Sequence, residues 1–194
     1  MTGAAMAEQQ RLEIRDPQVM RALAHPARLA ILEHLMGGEN GTATECAHVC
    51  GLSPSATSYH LRALAKVGLV EEAASRGDGR ERVWQSRVRG FDLSAGPGGD
   101  VEAGAAERDL VTVVIERQDA QTRAWLATLA DEPPAWREAA ALTEGTLLLD
   151  AAELTALSSQ IVELIRPYAK ARRRTGAPTG SRQIRVIFRA FPTD

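Results

Sequence analysis

Residues 52–72, LSPSATSYHLRALAKVGLVEE, constrain the fold of this 194-residue chain more than any other stretch. Ser53 followed by Pro54 is typical of a helix N-cap and first helical residue. Gly68 is placed to end that helix near Val67, since glycine is common just beyond helix C-termini. The stretch therefore predicts one well-delimited helix that leads directly into a strand-like tail.

The two faces of this predicted helix differ in chemistry. Residues at i, i+4 and i+7 spacing are predicted to face the core: Thr57, Leu61 and Leu64. The outward face then holds Ser55, Ala56, Ser58, Tyr59 and Arg62. Such a face fits a DNA major groove roughly 12 Å wide and can donate hydrogen bonds to base edges. The alternative is a solvated helix in a winged helix that contacts another protein.

Short helices precede this stretch and a hairpin follows it. Asp16 and Pro17 predict the start of one helix, and Leu29, Leu32, Leu35 and Met36 give the next its core spacing. The remaining predicted elements are a turn at 37–41, a short helix at 44–50, and strands at 70–74 and 82–86. The glycines of SRGDGR permit a tight turn between those strands. This order of elements predicts a winged helix-turn-helix domain.

The segment SAGPGGDVEAGAA, residues 94–106, is predicted to be a linker because glycine is frequent and no apolar period is present. Beyond it, residues 110–129 favour a helix, although VTVVI within them fits a strand equally well. Asp150 with Glu153 predicts a capping box at the start of another helix. Residues 146–150 and 182–191 are predicted strands, the latter because apolar and charged residues alternate.

These elements predict a mainly α fold with a small β part, of the α+β class. The predicted organisation is a flexible N-terminus, a winged helix-turn-helix DNA-binding domain, a linker, and a C-terminal segment for dimerisation and ligand sensing with a short hairpin-like pair of strands. The corresponding ranges are 1–15, 16–93, 94–106 and 107–194.

Charge and composition limit the possible functions. The chain has a net charge of −2, yet seven basic and four acidic residues between 53 and 89 give that region a local charge of +3. A modest basic patch suits contact with phosphates. No apolar run is long enough for a membrane helix and no signal peptide is evident, so a cytoplasmic location is expected. No nucleophile elbow, P-loop or paired carboxylates occur, so an enzyme is not expected.

Four sequence features resemble the ArsR family of bacterial transcriptional regulators. They are HPARLAIL, GLS-x-S-x-x-S-x-HL, RAL-x-x-x-GLV and the glycine-rich wing before a tryptophan, all within about residues 16–90. The resemblance implies a homodimer that binds double-stranded DNA, with one helix in the major groove and the wing on the backbone or in the minor groove. We therefore expect a transcriptional regulator, with repression favoured, that binds an inverted repeat. The residues expected to contact DNA are Ser53, Ser55, Ser58, Tyr59, His60, Arg62, Lys66, Arg76, Arg80 and Arg82. His60 ranks below the others, because in the family this position more often packs inside or touches phosphate.

The chain departs from the family's metal sensors. Their Cys-x-Cys pair corresponds here to Thr42 and Thr44, which are not soft metal ligands. All four histidines precede residue 61, so the family's other site, on the helix after the wing, cannot form. Cys46 and Cys50 are interpreted as core residues rather than a metal or redox site. No metal or cofactor is therefore expected.

An effector, if one exists, is expected to be an organic molecule or a protein bound among the C-terminal helices. Three aromatic residues there are candidates for a ligand pocket: Trp125, Trp136 and Tyr168. The competing interpretation is that these rings belong to the core, because aromatic residues at helical spacing usually pack inside.

Overall fold

The computed structural model of the chain describes residues 12–75, 81–92, 101–169, 173 and 176–193. The chain divides into two compact units, Met1–Arg117 and Gln118–Asp194. Two of the residues predicted to bind DNA, Arg76 and Arg80, lie outside the described residues, as do most of the predicted N-terminal segment and residues 94–100 of the predicted linker.

The first unit begins with four helices: α1 Pro17–Leu23, α2 Pro26–Met36, α3 Ala43–Cys50 and α4 Pro54–Lys66. Each follows a residue whose side chain accepts a backbone N–H of the first turn, namely Asp16, His25, Thr42 and Ser53. Such caps satisfy N–H groups that have no partner within the helix. The N-caps predicted at Asp16 and Ser53 are confirmed, whereas the capping box of Thr42 and Glu45 was missed.

The strands are short: β1 Leu12–Glu13, β2 Gly41–Thr42, β3 Val70–Ala73, β4 Val83–Ser86 and β5 Phe91–Asp92. Strands β3 and β4 pair antiparallel, which confirms the predicted wing hairpin. Strand β2 pairs antiparallel with β4 and extends the sheet to the order β2-β4-β3. Strand β1 pairs in parallel with β5. Together the helices and the small sheet form a winged helix-turn-helix, as the sequence predicts.

The core of this unit lies where the helices and the sheet meet. Thr57, Leu61 and Leu64 on α4 are each fully buried, so the predicted inward face of that helix is confirmed. They belong to a cluster with apolar residues of the neighbouring elements, among them Leu29, Ile31, Leu32, Leu35, Leu69, Val70 and Trp84. Burying a large aliphatic side chain stabilises a fold by about 1.5–3 kcal/mol. This packing fixes which face of α4 remains exposed.

Helix α5, Val101–Thr128, is continuous, so residues 111–115 are helical and not a strand. Its first six residues lie within the segment 94–106 that the sequence predicts to be a linker. The reason is that the alanines and glutamate after Val101 favour a helix, and one helical glycine is tolerated at modest cost. Ala106, Leu110 and Val114 recur at i, i+4 and i+8 and are buried in the core of the first unit.

In the second unit a 3₁₀ turn, Leu129–Asp131, precedes α6 Pro134–Ala139, and α7 Ala151–Ile165 leads into a 3₁₀ turn, Arg166–Tyr168. The capping box predicted for Asp150 and Glu153 is confirmed: each side chain accepts the other residue's backbone N–H, at 2.8 and 2.9 Å. No described residue of this unit is classed as buried. Among the described helices of the chain, none is both long and apolar enough to cross a membrane.

The predicted strands at residues 146–150 and 182–191 are wrong, because no strand forms there. Their apolar side chains are exposed: Leu147, Leu148, Leu149, Ile184, Val186 and Phe188. A two-stranded pair is only marginally stable unless something packs on it. Alternation of apolar and charged residues at 182–191 is therefore not sufficient for a strand, and the described residues show no partner strand for either segment.

Candidate nucleic-acid interface

The exposed face of α4 carries most of the residues predicted to contact DNA. Exposed on it or on its cap are Ser53, Ser55, Tyr59, Arg62 and Lys66, and Ser58 is partly exposed. Tyr59 is the most prominent, with 61% of its surface accessible. The Ser53 hydroxyl accepts the Ala56 N–H at 3.2 Å, which begins the helix at this point. The face is therefore polar, and side chains of moderate length project from it.

The turn between α3 and α4 sets the angle at which that face is presented. Gly51 follows α3 with φ of +64°, and its N–H donates to the Ala47 carbonyl. The Leu52 N–H donates to the same carbonyl at 3.2 Å. A Cβ at Gly51 would meet no atom within 4 Å, so the backbone conformation alone requires glycine here. This tight turn is the connection between the two helices of a helix-turn-helix.

A groove of about 500 Å³ lies beside α4, bounded by α3 and the wing. Thr44, Ser55 and Ser58 bring hydroxyl groups to it. Arg62, Glu81 and Arg82 are the charged residues that line the groove, and Trp84 is an aromatic one. Hydroxyls and guanidinium groups together can donate hydrogen bonds to phosphate and base oxygens.

An ion pair and a hydrogen bond hold the base of the wing. Arg82 pairs with Glu72 across the hairpin at 3.0 Å, and both side chains are largely exposed. The Thr44 hydroxyl donates to Glu81 at 3.3 Å and so connects α3 to the start of β4. Neither Thr44 nor Glu81 was predicted to be part of the site, because their contact arises only when the hairpin folds back on α3. Exposed ion pairs contribute little to stability, so Arg82 can exchange Glu72 for another anion at small cost.

His60 does not share the exposed face. Only 8% of its surface is accessible, and its ring packs against His25 with ring centroids 4.6 Å apart. A ring turned toward the start of α2 is poorly placed to contact a base edge, and contact of His60 with DNA stays a prediction. The sequence spacing is consistent with an inward position of His60, because it follows the buried Thr57 by three residues and precedes the buried Leu61.

The cysteines lie on the opposite side of α3 from solvent. Cys46 is fully buried, as predicted, and burial is the main cause that raises the pKa of its thiol to about 11. Cys50 is half-buried and its thiol donates to the Cys46 carbonyl at 3.2 Å. A thiol with a raised pKa carries little thiolate, which is the form that binds metals. Within the described residues, no cluster of three His, Cys, Asp or Glu side chains could hold a metal.

The three aromatic residues predicted to line a ligand pocket lie in the second unit. Arg182 stacks over the Trp136 ring at 4.9 Å, and Arg173 over the Tyr168 ring at 4.5 Å. Trp125 is half-buried. Among the described ring contacts, none joins the three residues to one another, so a shared pocket stays a prediction.

Comparison with known proteins places this region among helix-turn-helix proteins. Residues 23–73 match the family described as helix-turn-helix domain. The HTH-type transcriptional regulator YgaV of Escherichia coli (strain K12) is 42% identical over 53 residues, which are 27% of this chain and 54% of that protein. The chain thus spans about half the length of this curated relative. A solved structure of Lactococcus lactis ZitR, the C30AH42A mutant in apo form, aligns with 13% identity and a TM-score of 0.31, over 78% of this chain and 87% of that one. The family match and the arrangement of α3, α4 and the hairpin together show that the chain contains a winged helix-turn-helix domain.

Proposed function

We propose that this protein is a sequence-specific DNA-binding transcriptional regulator of the ArsR type. The observation that carries the proposal is the exposed face of α4, where hydroxyls, Tyr59 and Arg62 project beside a groove that the wing completes. The match of residues 23–73 to a helix-turn-helix family and the similarity to a named transcriptional regulator support it. Repression is the favoured direction of regulation.

The proposed contacts fall into two groups, those to base edges and those to phosphates. Ser55, Ser58, Tyr59 and Arg62 enter the major groove and contact base edges, as the side chains of a recognition helix do. Ser53, Lys66 and Arg82 contact phosphates, which fix the register without reading sequence. Arg76 and Arg80 join the phosphate contacts on the strength of the sequence alone. His60 is left out of the proposed contacts because its side chain is buried.

Selection of binding sites from genomic duplex DNA tests the proposal. The purified protein should enrich a small set of fragments that share one inverted repeat. Recovery of fragments at random, with an affinity that depends on salt alone, would contradict sequence-specific binding. A protein partner is the alternative occupant of α4, and it would be favoured by an apolar surface there. Apart from Pro54 and Tyr59, the exposed residues of the helix are the polar Ser55, Arg62 and Lys66, which supports DNA.

The second unit supports a homodimer. Its described residues expose many large apolar side chains, among them Leu142, Leu148, Leu164, Ile184 and Phe191. Surfaces of this kind commonly mark contacts between proteins. A second copy of the chain would cover them and would supply the surface that strands at 146–150 and 182–191 lack. Twofold symmetry would set the two recognition helices about 34 Å apart, so that half-sites are one helical turn apart.

Sedimentation at micromolar concentration should therefore give a dimer. Leu148→Asp combined with Phe191→Asp places charges on that apolar surface and should shift the protein toward monomer. Val101→Asp is the matched control, since this residue is also exposed but belongs to the first unit. A parent protein that sediments as a monomer would contradict the dimer.

Release from DNA is proposed to follow binding of an organic effector near Trp125, Trp136 and Tyr168. Zinc, arsenite and cadmium should leave the affinity for a selected duplex unchanged, because Cys46 is buried with a raised pKa and Thr42 serves as a helix cap. Titration of the duplex with and without each metal checks this, on the parent and on Cys46→Ser. A metal effect in the parent that disappears in Cys46→Ser would identify a thiol sensor instead.

A further inference from the structure

Two histidines and an arginine meet where α2 contacts the recognition helix α4. His25 precedes α2 and His60 lies within α4, with ring centroids 4.6 Å apart. Arg28 lies in the first turn of α2, and its guanidinium donates to the Arg21 carbonyl of α1 at 3.2 Å. The proposed DNA contacts do not use any of these three side chains.

The surroundings of Nδ1 in each ring favour the neutral form of the histidine. His25 Nδ1 accepts the Ala27 N–H at 3.1 Å and caps α2, which requires an unprotonated nitrogen at that atom. His60 Nδ1 is buried and has no hydrogen-bond partner among the described residues. Protonation would remove the cap at His25 and would bury a donor without an acceptor at His60.

The groups around the pair also oppose a positive charge. Arg28 is the cation that faces both rings from α2. From α4 the Tyr59 ring contacts His60 edge-on, with ring centroids 5.5 Å apart, and the Arg21 side chain of α1 pairs with Glu102 instead. Within the described part of the chain, no carboxylate pairs with either ring. Burial is the main cause that lowers the pKa of each histidine, and repulsion from Arg28 lowers both further. Repulsion from His25 also lowers the pKa of His60.

We propose that the contact between His25 and His60 is a proton-sensitive joint, which holds the recognition helix in its DNA-binding position only while both rings are neutral. Both are positioning residues, because they act through α4 and do not themselves touch DNA. His60 immediately follows Tyr59 and lies two residues before Arg62, so a shift of its ring moves the face that carries both. This inference rests on the proposed function.

The direction of the pH effect follows from the lowered pKa values. The neutral, packed joint is intact above the ordinary histidine pKa of about 6.5. Its contribution is lost as the pH falls from there through the lowered pKa values of the two rings. A joint that merely added positive charge near phosphates would have the opposite effect, since protonation would then strengthen DNA binding.

The test measures the affinity for a duplex recovered by selection, at constant ionic strength, between about pH 7.5 and about pH 5.5. We expect the parent to bind about tenfold more weakly at the lower pH, a change of about 1.4 kcal/mol in the free energy of binding. The variant His25→Asn/His60→Gln should bind with an affinity that changes little with pH. Asparagine keeps the N-cap of α2, and neither replacement titrates in this range. If the double variant does not fold, His25→Asn alone is measured instead, and its binding should depend less on pH than that of the parent.

The matched control is His34→Gln/His48→Gln, which removes the two histidines outside the joint and should behave like the parent. Unchanged or tighter binding of the parent at low pH overturns the joint, as does a double variant that keeps the parent's pH dependence. Absence of binding to any duplex at about pH 7.5 contradicts the proposed function instead. NMR then decides on the joint: the imidazole resonances of both rings should titrate together with backbone amides of α4, and independent titration overturns it.

Discussion

Replacement of Leu61 by alanine is expected to lower the free energy of unfolding by about 2–5 kcal/mol. Leu61 is fully buried in the core, so its truncation removes apolar contacts and leaves a cavity. Urea unfolding followed by circular dichroism measures the change. The matched control is Lys66→Ala, an exposed position on the same helix, where a change within about 0.5 kcal/mol is expected.

The result for Leu61 also tests which face of α4 points outward. A loss of less than about 1 kcal/mol would mean that the side chain is not enclosed. The helix would then be rotated about its axis, and Tyr59 and Arg62 would no longer share the exposed face.

Arg62→Ala is expected to weaken binding to a selected duplex by about 1–3 kcal/mol, if Arg62 contacts a base edge as proposed. Arg62 is exposed, lines the groove beside α4 and forms no ion pair with a described residue, so its guanidinium is available to a ligand. Fluorescence anisotropy with the selected duplex and with a duplex altered at one base pair measures the change. Loss of discrimination at that one position, rather than uniform weakening, is the expected result.

Arg82→Ala provides the comparison, because Arg82 lies in the wing and pairs with Glu72. Its loss should weaken specific and non-specific binding about equally and flatten the slope of log affinity against log salt by about 0.9. If both variants bind the selected duplex like the parent, the interface is wrongly assigned.

Helix boundaries in the first unit could be predicted because local chemistry determines them. Asp16 and Ser53 each precede a proline at the first helical position, a pattern that needs no distant partner. The core face of α4 followed from spacing alone. Strand β2 could not be predicted, since Gly41 and Thr42 pair with β4 only after the wing hairpin has folded against α3.

The second unit shows where sequence patterns are insufficient. Residues 182–191 alternate as a strand does, but a strand forms only where another backbone accepts its hydrogen bonds and a surface covers its apolar side. In contrast, the capping box of Asp150 and Glu153 is local, and it was predicted correctly.

In the candidate site, too, the features set by local sequence could be predicted and the contacts between distant elements could not. The outward residues Ser55, Tyr59 and Arg62 follow from the helical period, and they are exposed. Glu81 and Thr44 were missed because their hydrogen bond joins elements 37 residues apart. The burial of His60 agrees with its spacing from Thr57 and Leu61, but its contact with His25 could not be predicted, since the two residues belong to different elements.

Methylation interference on a selected duplex tests most directly whether the exposed face of α4 lies in a DNA major groove. Guanine N7 faces the major groove, and adenine N3 faces the minor groove. The proposed arrangement predicts that N7 methylation within each half-site blocks binding by the parent, and that Arg62→Ala becomes insensitive to methylation of one guanine per half-site. Binding that is unaffected by N7 methylation throughout the site would contradict it.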